Sequence, residues 1–165
     1  MFELKSLSLE AVPAALKRVE RYRLLNEPAL AESICRDVLR ADPDNRQAQI
    51  DLLLSLTDQF SHGLGHFQEA RSMATEIGTE YEQAYYSGIV CERRAHAHLH
   101  QRTPGSGNMV YNLLCEAMEF FEQAGQVRPA DNDDAILRWN TCARVIMKHD
   151  HIQPLDEVAT PLELE

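Results

Sequence analysis

The sequence predicts an all-α fold, and three observations carry that expectation. Apolar residues recur at three- and four-residue steps through seven stretches, turn chemistry separates those stretches, and no alternating strand with hairpin punctuation appears anywhere. The most specific signal is a spacing used twice: Ala31, Cys35, Val38, Pro43 and Ala117, Phe121, Ala124, Pro129, with steps of four, three and five residues. The first three members of each set share one face of a helix. Proline then ends it, because it lacks the N–H a continuing helix needs and drives the preceding residue out of the α region.

The first helix is expected from about Leu9 to Leu25, with Ser8 placed to cap it and Pro13 near enough to the start to be tolerated. Asn26-Glu27-Pro28 breaks the chain, and a second helix starting at Pro28 runs to Asp42-Pro43. Two helices joined so tightly must be antiparallel. A third, about Arg46 to Phe60, carries Ile50, Leu52, Leu53, Leu54 and Leu56, a stripe wide enough to need neighbours on more than one side. Ser61 to Gly65 reads as a loop, followed by a fourth helix from about His66 to Ile77 that stops at Gly78. The fifth, about Glu80 to Gln101, lines up Ala84, Gly88, Cys91, Ala95 and Leu99, mostly small residues that admit a neighbouring helix closely. After the loop Thr103 to Asn108 come a sixth helix, about Met109 to Val127, and a seventh, about Asp133 to His149, whose acidic start suits a helix N-terminus. Residues 150–165, with two prolines and five acidic residues, read as an extended acidic tail whose leucines would have to dock to become ordered.

The length of 165 residues fits one domain, with the helical body at residues 1–149. Such a domain buries roughly two-thirds of the surface its unfolded chain exposes. Cys35, Cys91, Cys115 and Cys142 form no CxxC pair and sit in apolar helical patterns, so free thiols and a reduced, cytoplasmic protein are expected. The start, Met1-Phe2-Glu3-Leu4-Lys5, lacks the pattern of a secretory signal, and no stretch approaches the ~18 apolar residues of a membrane span. A formal charge of −10 argues against nucleic acid as a partner, since that affinity comes mainly from Lys and Arg on phosphates.

These residues resemble the tetratricopeptide repeat (TPR) family, whose unit of about 34 residues is a helical hairpin that stacks into a right-handed superhelix. In residues 12–45, Tyr22, Ala31 and Pro43 stand at positions usual for the family, while Cys35 and Val38 replace its Phe and Ala. A unit at 46–80 keeps Leu52 and Ala70 but has a lengthened turn and no closing proline. A third at 81–131 keeps Gly88, Ala117, Phe121, Ala124 and Pro129 and is some seventeen residues longer than the standard unit. Residues 132–149, with Trp139, resemble the terminal cap such arrays require. The chain is also similar to small bacterial members of the family without an assigned activity.

The resemblance implies a non-enzymatic scaffold that binds a protein or peptide segment on its concave face. Carried over position by position, that face comprises Glu20, Arg23, Gln47, Ile50, Leu54, Asp58, Tyr85, Ile89, Glu92, Arg93, Asn140 and Arg144. Leu16 and Glu20 stand where some members clamp a C-terminal carboxylate, so that use is not expected. Size and acidity also resemble the TPR chaperones of bacterial secretion systems, an alternative in which the partner is an exported client. Short solenoids leave apolar terminal faces, so a homodimer is compatible with the pattern.

Chemistry has few footholds. His96 and His100 share a helix face, the geometry of a two-histidine metal site, and a metal-binding regulator is the third reading. The glutamate that a zinc-protease motif places directly after its first histidine is missing and no third ligand is specified, so no metal or other cofactor is expected. Near a helix C-terminus these histidines are also explained by the dipole. Cys91 has Arg93 and Arg94 nearby, but it lies on the small-residue stripe and the arginines point elsewhere, which favours a buried, inert thiol. Of the pairs Tyr85-Tyr86 and Phe120-Phe121, one member each should be buried, since neighbours on a helix lie about 100° apart. No nucleophile triad or phosphate loop has its signature, and nothing nominates an enzyme.

Overall fold

The computed structural model describes residues 2–62, 65–101 and 105–155. Among them the chain forms seven α-helices and no strand: α1 (Val12–Leu24), α2 (Pro28–Ala41), α3 (Arg46–Thr57), α4 (Gly65–Ala74), α5 (Glu80–Gln101), α6 (Gly107–Gln126) and α7 (Asp134–Lys148). Short 3-10 turns at Leu9–Ala11 and Phe60–His62 precede α1 and follow α3. Each helix packs on the next in sequence, and α3 also touches α1 and α5.

Local chemistry explains most boundaries. Ser8 occupies the cap position before the first 3-10 turn, but its side chain makes no capping bond, contrary to the expected role. At the far end of α1, Asn26 adopts a φ of 59°, Asn26 N–H donates to Arg23 O (3.0 Å) and Glu27 N–H donates to Tyr22 O (2.8 Å). That pair of bonds around a left-handed residue is a Schellman stop, with Asn in place of the usual Gly. Pro28 then starts α2, where its missing N–H leaves nothing unpaired. Asn45 caps α3 by accepting from Ala48 N–H at 3.0 Å. Asn45→Ala is expected to lower stability by about 1 kcal/mol. A urea midpoint that does not move would remove the cap from the account.

The fourth helix is shorter than expected, ending at Ala74 rather than Ile77. Thr75 and Glu76 N–H groups turn back onto Ser72 and Met73 carbonyls, three residues earlier, and the chain descends to bury Ile77 before Gly78 at φ 55°. The start of α5 is a capping box: Thr79 N–H donates to Glu82 Oε2 (2.8 Å), and Glu82 N–H reaches back to Thr79 Oγ1 (3.4 Å). Arg46 on α3 also binds Glu82, tying the two helix starts together.

The apolar interior has two principal halves. One gathers Val19, Ala31, Cys35, Leu53, Leu56 and Ala70 from the first four helices with Phe60 from the turn after α3; the other gathers Ile89, Cys91, Leu114, Ala117, Phe121, Ala124 and Cys142 from the last three. Leu54 and Tyr86 pack against both, so α3 and α5 form the seam. The small stripe of α5 is used as its composition suggested: the Phe121 ring of α6 lies directly over Gly88. Arg94, buried on α5, donates to Phe60 O (3.2 Å) and lies over the Phe67 ring, fixing the turn after α3.

The segment after α7 departs from the extended tail expected from Asp150. It turns at once, Ile152 is buried in the second half of the core, and the His151 carbonyl crosses the start of α6 so closely that a Cβ at Gly107 would overlap it. Leu155 is exposed, and the alternative in which Leu162 and Leu164 dock on the helical body lies outside the described residues. The four cysteines are free. Burial pushes the thiols of Cys35, Cys91 and Cys142 up to about 12, which holds them in the unreactive protonated form at neutral pH. No helix among the described residues is long and apolar enough to cross a membrane.

Candidate functional site

Alternate helices meet along one open groove of about 990 Å³. α1 contributes Glu20, Arg23 and Leu24, the end of α3 and its following turn contribute Thr57, Asp58, Phe60 and Ser61, α5 contributes Glu92, Arg93, His96, Ala97 and His100, and α7 contributes Arg138 and Thr141. Of the even-numbered helices only α2 reaches it, through its first residue, Pro28. Odd helices share the face because consecutive helices form hairpins, which places every second helix on the same side of the array.

Ion pairs between distant helices organise the groove. Asp58 accepts from Arg23 Nε at 2.8 Å and from Arg93, so one carboxylate holds two guanidinium groups and unites α1, α3 and α5. Glu92 faces Arg138 Nη1 with both carboxylate oxygens at 3.4 Å, joining α5 to α7. The Glu92 side chain is only 3% exposed against 39% for Arg138. Burial pushes the Glu92 carboxyl up, and Arg138 opposes the shift. His96 Nε2 lies 3.8 Å from Glu92 Oε1. Burial, with the cations of Arg138 and Arg93 nearby, pulls the His96 imidazole down and keeps it neutral around pH 7. His100 Nδ1–H donates to the His96 carbonyl at 2.7 Å, one turn back on its own helix. Among the described residues no group of three His, Cys, Asp or Glu side chains is disposed to hold a metal ion.

The residues expected on the concave face are therefore divided. Glu20, Arg23, Asp58, Glu92 and Arg93 line the groove. Ile89 does not: it is 2% exposed inside the second half of the core, because α6 covers that side of α5. Ile50 and Leu54 are half-buried packing residues, and Gln47 lies exposed with its amide donating to Asp51 (3.1 Å). Tyr85 stacks on Tyr81 (5.6 Å between centroids) and leans on Phe121 (5.9 Å), and it lines a separate depression between the starts of α5 and α7.

From α7 it is Arg138 and Thr141 that line the groove; Asn140 is half-buried and Arg144 exposed on the same helix. The signal for Arg138 is present in the sequence as a lone cation within the buried stripe Ala135, Arg138, Cys142. Glu92 likewise interrupts the buried run from Ser87 to Ala95. No protein-family model, no curated protein and no solved structure matches this chain.

Proposed function

We propose that the chain is a TPR-like array of helical hairpins that serves as a non-enzymatic protein-interaction module, with the groove across α1, α3, α5 and α7 receiving a segment of a partner protein. The supporting observation is the groove itself: four helices from both halves of the core converge on it, and paired charges fix its walls. A preformed, wide and open concavity suits an extended or helical peptide, since little ordering of the receptor is needed on binding. The resemblance of the repeat spacing and the free, buried thiols both fit a cytoplasmic scaffold.

The test is affinity capture with wild type, Arg93→Glu and a control change at Gln123, an exposed residue of α6 away from the groove. A partner retained by wild type and control is expected to fall by about tenfold with Arg93→Glu. A set of captured proteins unchanged by Arg93→Glu, with its circular dichroism intact, would count against the groove as the binding face.

A further inference from the structure

The order in which charges face the groove points to the chemistry of its occupant. Of its two paired acids, Glu92 stands behind its base, and Asp58 is as exposed as Arg23 and less exposed than Arg93. Glu92 is almost wholly covered, and Asp58 is held between two guanidinium groups, whereas Arg93 and Arg138 keep 31% and 39% of their side chains exposed. Arg23 spends its Nε, and Arg93 and Arg138 one Nη1 each, on these carboxylates, so each guanidinium retains further N–H donors. Glu20 alone presents an acid on the rim without such a partner among the described residues. The exposed Leu24 supplies an apolar edge.

Resting on the reading of this groove as a peptide site, we propose that it selects an acidic, leucine-bearing segment, whose side-chain carboxylates bind the free donors of Arg23, Arg93 and Arg138. A basic segment would meet Asp58 and Glu92 already engaged and, among the described residues, only Glu20 free. A short acidic one gains charge-assisted, fork-shaped hydrogen bonds that arginine is suited to give. The three arginines of the groove are balanced in number by Glu20, Asp58 and Glu92, so the selection rests on which groups keep free, exposed hydrogen-bonding atoms, and screening within about 10 Å lets those donors act despite the overall charge of −10. A long polyanion such as nucleic acid extends beyond that range and meets the acidic remainder of the surface.

Fluorescence polarisation with three labelled peptides tests this, alike in length and leucine content and differing only in carrying Glu, Gln or Lys at the same positions. The Glu peptide is expected to bind about tenfold more tightly than the others and to weaken as salt rises from roughly 50 to 500 mM. Arg93→Gln and Arg23→Gln should each weaken it by about fivefold or more, with circular dichroism showing the helices retained and the melting temperature still well above the assay temperature. Groove-dependent binding that is equal for Gln and Glu, or tightest for Lys, overturns the acidic assignment and leaves the peptide groove standing. If none of the three binds at millimolar concentration, both readings fall. The same titration on a chain ending at Leu155 removes residues 156–165, which carry four acids of their own. Binding seen only to that shortened chain overturns a partner as the occupant in favour of the chain's own segment.

Discussion

Phe121→Ala is expected to lower the free energy of unfolding by about 3–5 kcal/mol. Phe121 is 1% exposed at the contact between α5 and α6, packed over Gly88 and against Tyr85. Truncation removes the ring that fills the space between two long helices, and their backbones are too constrained to close it. The partner position predicts a linked result. A Cβ on Gly88 would lie 2.5 Å, 2.7 Å and 2.9 Å from three ring atoms of Phe121. Gly88→Ala therefore sets an overpacking penalty of about 1–3 kcal/mol against a gain of about 1 kcal/mol in helix propensity. In a Phe121→Leu background the penalty should vanish and the gain remain. Urea unfolding of the four proteins measures the coupling, and a Gly88→Ala effect independent of residue 121 would sink this account.

Arg138→Ala is expected to cost about 2–3 kcal/mol at pH 7, because it leaves the covered Glu92 carboxylate without its cation. The partial exposure of Arg138 keeps the figure at the lower end of what a broken buried pair costs. The pH dependence has a definite sign. Glu92 holds its proton more tightly when folded than at the ordinary carboxyl value of 4.5, so its burial costs nothing below that value and its cost grows as pH rises through the folded one. Removing Arg138 raises the folded value further and enlarges that cost. The deficit of the variant relative to wild type should thus shrink as the pH falls from 7 toward 4.5. His96 has a lowered value to which Arg138 contributes, so its acid-side penalty is smaller in the variant and narrows the deficit in the same direction as pH falls. Glu92→Gln should restore most of the stability lost in Arg138→Ala. A deficit unchanged across pH, or a double variant no better than the single one, would show that Glu92 is not the group left unpaired.

Both results depend on pairings that the chain order only partly discloses. Gly88 and Phe121 stand on matching small and large positions of neighbouring helices, so their contact is readable from periodicity. The Glu92–Arg138 pair is not, although each residue betrays itself as a lone charge in an apolar stripe. Which charge meets which depends on the rotation of α7 against α5, and it is Arg138 and Thr141, not positions carried over by resemblance, that line the groove from α7. Ile89 lies inside the core and not along the groove for a similar reason. It is one step from Gly88 on α5, and the closeness that Gly88 allows brings α6 over both.

What the sequence determined by itself is what a few neighbouring residues decide among themselves: seven helices, their stops at Asn26 and Pro43, the Asn45 cap, and the capping box written as Thr79-x-x-Glu82. These interactions span one turn, so their energies are fixed before any helix meets another. Only the tertiary structure decided that Arg23 and Arg93, each 35 residues from Asp58, share that carboxylate, and that Glu92 finds Arg138 across 46 residues. The same holds for Gly107, required by a carbonyl that returns after α7. Such contacts depend on the packing angle and rotation of whole helices, which many side chains set together.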